Sequence, residues 1–368
     1  MKKTLVLILC TMMLAIIMAG CGATGENKNE TPKATASVPS SDTSNDATAE
    51  APATVYTVKF GITNGLNDPE EPETIFVTAL QEKLDELTNG GMVLDVYPNL
   101  QLGSMEEMRD MVMSGTLEAI LPNINSLAAV YPNVSALTCP GQFSSEAEVD
   151  AVLRGEWGKE FFADLAEETN LYVLGVASNG MRCYTSSKSP LTTVDSIKGQ
   201  SIRVMQSNLC VEMAESIGIN AVPMAGSEMY SAMQNGTVDG QENPINSIIN
   251  DKTYEVQKYM VLDCHMPSIL AYVVGYDFFE SLPEEYQEAF ADATLYASEQ
   301  LSAAIERVNV DGVEFLKGQG IEVYTPTAEE LEAWQKPVAE ACRAYLDKEL
   351  GVEVMDSIAG AIAEYRAG

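Results

Sequence analysis

Two arginines stand apart from the other cations of this sequence. Between Arg154 and Arg307 the only arginines are Arg182 and Arg203, each in an apolar or small-residue stretch at the end of a strand-like segment. Arg203 lies within Ser201-Ile202-Arg203-Val204-Met205, where strand alternation puts it on one face with Ser201 and Met205, opposite Ile202 and Val204. A guanidinium in that setting is costly unless an anion meets it. Its planar fork suits a carboxylate held by two parallel hydrogen bonds. The anion is either a protein carboxylate, with Glu228 and Glu242 as candidates, or the carboxylate of a ligand; this pattern leaves both open. Gln206 and Asn243 add uncharged donors near the same strand ends, and Pro244 holds Asn243 extended. Ordinary loop capping is the competing role for Asn243.

Other chemistry is hard to build from these residues. His265 is the sole histidine, so there is no HExxH motif and no His-rich metal site; a structural role is expected for it. No GxSxG elbow, Walker loop or GxGxxG fingerprint occurs. The 54 Asp and Glu residues supply so many accidental carboxylate pairs that no pair is informative. The acids Asp68, Glu70, Glu71 and Glu73 lack EF-hand spacing and are read as favouring the positive end of the helix that follows. No cofactor and no metal is expected. The seven cysteines contain no CxxC pair; Cys139, Cys183, Cys210, Cys264 and Cys342 read as buried free thiols.

A formal net charge of −33 over 368 residues excludes nucleic acid as a partner, because phosphate binding needs a basic footprint. It also argues against a basic patch on anionic lipid. The N-terminus reads as targeting. Lys2-Lys3 precedes an uncharged, mostly apolar run from Leu5 to Met18, and Met18-Ala19-Gly20-Cys21 resembles a bacterial lipobox. Residues 1–20 are thus expected to be a lipoprotein signal peptide. Residues 21–53, polar and without an aromatic residue, read as a disordered tether lipidated at Cys21.

The elements that must position the arginines alternate between strand and helix. Val55 to Ile62, Met92 to Tyr97 and Leu117 to Leu121 read as strands around helices at Pro72–Leu87 and after the capping box Ser104-Met105-Glu106-Glu107. A second series runs from the Arg203 strand through a helix at Leu209–Ile217, a strand at Ala221–Pro223, a helix at Glu228–Gln234 and a strand at Val238. Gly236-Thr237-Val238-Asp239-Gly240-Gln241-Glu242-Asn243-Pro244 reads as turn, short strand and amide-rich loop. The series echo each other: Gly103-Ser104 opens a helix closed by Gly115-Thr116, and Gly226-Ser227 opens one closed by Gly236-Thr237. This describes an α/β protein of two lobes on one plan. A helical pattern from Pro283 to Gly318 is long enough to cross both lobes, with Asp311-Gly312 as the expected kink.

Asn179-Gly180-Met181-Arg182, Lys198-Gly199-Gln200-Ser201-Ile202-Arg203-Val204 and Ser227-Glu228-Met229-Tyr230, leading to Gly236-Thr237-Val238-Asp239-Gly240-Gln241-Glu242-Asn243-Pro244, resemble the solute receptors of TRAP transporters (DctP-type) from about Val55 to the C-terminus. The resemblance implies a two-lobe periplasmic-binding-protein-like fold with a long kinked helix spanning both lobes. It implies lobe I over 54–178 with about 267–310, and lobe II over 179–266 with about 311–368. It assigns Arg203 to the ligand carboxylate, with Arg182 and Asn243 as further anion contacts. Gln206, Asn123 and the Thr63-Asn64 turn fall where other members touch the ligand. Met205 stands where many members have proline, and Gly226 where sialic-acid-binding members have phenylalanine, which disfavours sialic acid. The implied ligand is an organic acid such as a sugar acid or dicarboxylate. It would be delivered to TRAP membrane subunits by a monomeric, lipid-anchored receptor on the outer face of a bacterial cytoplasmic membrane. An extracellular enzyme acting on sugar acids and a ligand sensor for a receptor are the competing classes.

Overall fold

The computed structural model of the protein describes residues 54–368; the leader, Cys21 and the tether lie outside the described residues. Strand β1 (Tyr56–Gly61) leads through α1 (Pro72–Thr88), β2 (Met92–Tyr97) and α2 (Met105–Met113) to β3 (Ala119–Ile120). Two 3-10 turns and the helices α3 (Glu146–Arg154) and α4 (Glu156–Thr169) then bring the chain to β4 (Leu171–Ser186). The second series is β5 (Ser201–Val204), α5 (Asn208–Ser216), β6 (Asn220–Pro223), α6 (Gly226–Gln234), β7 (Gly240–Asn243) and α7 (Ile245–Asn250). It is followed by β8 (Tyr259–Val261), β9 (Met266–Gly275), α8 (Tyr276–Ser281), α9 (Glu284–Gly318), β10 (Glu322–Tyr324), α10 (Ala328–Glu349) and α11 (Val352–Ala367).

Strand order explains the echo in the sequence. The strands bond in the order β2-β1-β3-β9-β4-β7-β5-β6, with β8 on β4 and β10 on β8. β1 lies parallel between β2 and β3, and β5 lies parallel between β6 and β7. β3 then meets β9 antiparallel, β7 meets β4 antiparallel, and β4 pairs with β9 along its first twelve residues. Each series is therefore a three-stranded parallel unit closed by one long antiparallel strand, and β4 belongs to both. This is a mixed α/β fold of two lobes. Helix α9, 35 residues long, packs on α1, β4, α7 and β10, so it touches elements of both series.

Local signals act as their chemistry requires. The Ser104 hydroxyl accepts from Glu107 N (3.2 Å) and the Glu107 carboxylate accepts from Ser104 N (2.7 Å), which closes the capping box of α2. Thr327 and Glu330 do the same for α10. At α3 only half the box forms: Ser145 caps Glu148 N, but the Glu148 carboxylate takes Ser144 N and Arg366. The apolar core is divided into separate clusters, the larger ones packed against the sheet strands. All ten residues of β9 are buried, and Phe60, Phe76, Tyr272 and Phe290 pack edge-on around them.

Three sequence expectations are corrected. Val238 is not in a strand, because the Asp239 main chain and carboxylate are tied to Ser201 (2.7 and 2.9 Å) at the start of β5. The strand is instead Gly240–Asn243, the stretch expected to be a loop, and all four of its residues are buried between β4 and β5. The third strand also shrinks to Ala119–Ile120. In α9, Gly312 has a packing reason: a Cβ there would stand 2.3 Å from Ile245 Cγ2 on α7.

Gly240 is the tightest point of the strand that carries Glu242 and Asn243. A Cβ there would meet the Thr185 carbonyl oxygen at 2.0 Å, and main chain cannot swing aside. Gly240→Ala is expected to cost about 3 kcal/mol by overpacking, read as a drop in urea midpoint with unchanged slope.

Candidate functional site

The carboxyl ends of β1 and β3 face those of β5, β6 and β7 across a cleft of about 410 Å³. Strand ends are where ligands settle in open α/β sheets. Asn64, Asn123, Arg182, Arg203, Gln206 and Asn243, the six residues singled out in the sequence, all line it. Their places follow the repeated plan. Asn64 follows β1 as Gln206 follows β5, and Asn123 follows β3 as Asn243 ends β7.

The two arginines divide the alternatives that the sequence left open. Arg182, 1% exposed, is paired inside the protein. Its Nε donates to Glu242 Oε2. Its Nη2 donates to Glu242 Oε1 (3.0 Å), to the Glu242 carbonyl (2.6 Å) and to Asn243 Oδ1 (2.8 Å). Arg203, 5% exposed, forms no ion pair among the described residues. Its Nε and Nη2 both donate to the Met224 carbonyl, at 3.1 and 2.8 Å, which fixes the guanidinium plane and leaves Nη1 without a hydrogen bond among the described residues. Burial pulls the Arg203 pKa down, partly opposed by Glu242, yet guanidinium stays protonated in proteins. Arg109 also lines the cleft but is neutralised by Asp110 (2.7 Å) and donates to the Ser126 carbonyl (2.9 Å).

Behind Arg182 lies a buried charge network. Burial pushes the Glu242 carboxyl up, but Arg182 and His265 outweigh it and hold it at about 2. Burial favours a neutral His265 ring, but Asp263 and Glu242 outweigh that and raise it to about 9. His265 Nδ1 is 2.7 Å from Asp263 Oδ2, and its Nε2 stands 3.5 Å from Glu242 Oε2. The Asp263 and Cys264 carbonyls in turn accept from Gln335 of α10 (2.8 and 3.1 Å). The single histidine is therefore a charged structural member, as expected of it. Asn243 spends its amide on Gln241 Oε1 (2.6 Å) and Met229 Sδ (3.5 Å).

Sequence reasoning missed part of the opposite wall. Glu71 is the N-cap of α1, accepting from Thr74 N at 2.9 Å. Glu73, read as another helix-end acid, turns into the cleft instead. Its Oε1 accepts from Asn64 Nδ2 (3.0 Å), and its Oε2 is buried without a partner. Burial, with Glu71 beside it, pushes the Glu73 carboxyl up to about 8. Asn125, Asn246, Asn250 and Asp251 also line the cleft and gave no signal beyond their residue type. Desolvation in the cleft pushes Asp251 up to about 6, less than it would without Arg203 and Arg182. Cys183 is not on the cleft; its Sγ lies 3.8 Å from Cys264 Sγ on another face. No group of three or more His, Cys, Asp or Glu residues among the described residues is arranged to hold a metal ion.

Comparison with known proteins agrees with this geometry. Residues 64–349 match the family described as bacterial extracellular solute-binding protein, family 7 (DctP). The 2,3-diketo-L-gulonate-binding periplasmic protein YiaO of Escherichia coli is 30% identical over 271 residues, 73% of this chain and 80% of that protein. The sugar acid binding protein DctPAm of Advenella mimigardefordensis, solved with galactonate, superposes with a TM-score of 0.79 at 26% identity. The match covers 84% of this chain and 99% of that one. A TRAP periplasmic solute binding protein of Desulfovibrio salexigens, solved with orotic acid, gives 0.78 at 29% identity with coverage of 84% and 99%. These are binding proteins and not enzymes.

The charge network sets two expectations. Glu242→Gln leaves Arg182 buried without its counter-charge and is expected to cost about 3–5 kcal/mol in chemical denaturation. The pH dependence has two limbs. Glu242 titrates at about 2 in the fold against 4.5, so its contribution is present above pH 4.5 and is lost as pH falls toward 2. His265 titrates at about 9 against 6.5, so its contribution is complete below pH 6.5 and is lost as pH rises through 9. Melting temperatures of His265→Gln across pH 6.5–9 should fall less steeply than those of the unsubstituted protein.

Proposed function

Because the chain belongs to the bacterial extracellular solute-binding proteins of family 7, the DctP-type receptors of TRAP transporters, we propose that it captures an organic acid whose carboxylate docks on Arg203. One observation carries this reading: of the three arginines on the cleft, Arg203 alone has no carboxylate partner among the described residues. A buried guanidinium held flat by one carbonyl, with Nη1 unpaired among the described residues, is a prepared half of an ion pair. Arg182 plays a different part. Glu242 cancels its charge, so Arg182 lines the cleft as a fixed, neutralised group without adding net attraction. Asn243 orients Arg182, and Gln206, Asn123 and Asn64 complete the polar lining.

Closure of the two lobes over the ligand excludes water and strengthens the Arg203–carboxylate attraction. The closed surface is what the membrane subunits of the transporter recognise. In this reading the lobes are 54–178 with about 267–310, and 179–266 with about 311–368. The receptor is a monomer held at the outer face of the cytoplasmic membrane by a lipid on Cys21. The lipobox-like Met18-Ala19-Gly20-Cys21 supports the anchor, and no described helix is long and apolar enough to cross a membrane.

A thermal-shift screen of sugar acids, keto acids and dicarboxylates, followed by calorimetry, identifies a binding acid. Arg203→Ala is then expected to weaken it by about 2–5 kcal/mol, with Arg203→Lys intermediate because a point charge replaces the fork. Unchanged affinity in Arg203→Ala would return Arg203 to a structural role.

A further inference from the structure

Resting on the carboxylate reading above, we propose that the ligand is a hydroxylated monocarboxylate, with a hydroxyl at its far end read by Glu73, and that the cleft rejects the matching dicarboxylate. The positive charge available to a ligand sits at one end only. Arg109 is neutralised by Asp110 and Arg182 by Glu242, which leaves Arg203. The lining also carries the carboxyl groups of Glu73, Glu106 and Asp251 and, among the described residues, no second unpaired cation. A second ligand carboxylate would enter a partly desolvated wall and find no counter-ion there, which disfavours its burial.

The same wall holds two polar groups that nothing satisfies. Glu73 is 8% exposed, its Oε1 engaged by Asn64 and its Oε2 buried with no partner. Asn125 is 2% exposed; its Oδ1 accepts from Thr138 (2.9 Å), and its Nδ2 is buried with no partner. Buried polar groups in folded proteins find partners, and both of these side chains line the cleft. An acceptor or acid hydroxyl beside an amide donor is what a ligand hydroxyl, at once donor and acceptor, can satisfy. Because burial and Glu71 push the Glu73 carboxyl up to about 8, it holds its proton at neutral pH and donates to the hydroxyl oxygen.

Calorimetry on the purified full chain with three series of equal carbon skeleton tests this: alditols with no carboxylate, aldonates with one, and aldarates with two, over four to six carbons. An aldonate is expected to bind, with its aldarate at least about 100-fold weaker. Glu73→Leu should weaken the aldonate about tenfold, whereas Glu73→Gln, which keeps a neutral donor and acceptor, should stay close to the native value. Melting of both variants checks that the fold is retained. An aldarate that binds as well as its aldonate, binding of neither acid series, or an unaltered aldonate affinity in Glu73→Leu would overturn the proposal. An alditol that binds as tightly as its aldonate would instead overturn the carboxylate reading itself.

Discussion

The ion pair between Arg182 and Glu242 is the constraint around which the cleft is arranged. Both side chains are withdrawn almost wholly from water, a placement that is tolerable only with good geometry and with the remaining donors and acceptors engaged. The protein meets that demand in layers. Glu242 takes two nitrogens of Arg182, protonated His265 adds a second cation, Asp263 balances it, and Gln335 fastens the Asp263 and Cys264 main chain to α10. The result at the cleft is an asymmetry. Of two guanidiniums contributed by the strands that flank β7, one is neutralised and rigid, and the other meets only a carbonyl and keeps its charge.

That asymmetry sits on a symmetric scaffold. Each lobe is a parallel three-stranded unit whose strand ends point at the same cleft, so equivalent turns deliver Asn64 and Gln206, and equivalent strands deliver Asn123 and Asn243. What breaks the equivalence is sequence placed on the plan. The first lobe presents Glu73 and Asn125, neutral or acidic groups with unmet hydrogen-bonding capacity, beside an Arg109 paired with Asp110, while the second presents Arg182 and Arg203. The lobes share β4 and its antiparallel partner β9, and α9 packs against elements of each. Relative movement of the lobes must therefore be absorbed within a few shared elements, which is the ordinary condition for hinge closure.

The sequence makes the scaffold legible and hides part of the site, for a physical reason. Apolar periodicity and capping residues report what a segment does locally, so β1, β2, β5, the Ser104 and Thr327 caps and the length of α9 are visible in it. Strand β7 is not, because Gly240-Gln241-Glu242-Asn243 carries no apolar alternation; it is a strand only because Arg182, Thr185 and His265 satisfy its polar side chains from elsewhere in the chain. Arg203 was recognisable as an arginine out of place, yet the choice between Arg182 and Arg203 as the partner of Glu242 depends on which strand lies beside β7 on which face. Glu73 was indistinguishable from its neighbours Glu70 and Glu71, since a helix N-terminus explains all of them until the fold turns one inward.

A receptor for anions built from a chain of net charge −33 is less paradoxical than it sounds. Charges spread over the surface are screened beyond about 8 Å at physiological ionic strength, whereas Arg203 acts at contact distance where water is excluded. Its desolvation is also incurred when the protein folds, before any ligand arrives, because the guanidinium is already buried and held by Met224. In the proposed complex an arriving carboxylate would lose its own hydration but would not have to strip the arginine. It also gains a partner whose rotamer entropy has already been lost, and such preorganisation is where binding surplus comes from. Gly226 belongs to the same logic: a Cβ there would stand 3.8 Å from Arg203 Nη2. In the proposed complex, the missing side chain would leave room beside Arg203 for the group next to the carboxylate.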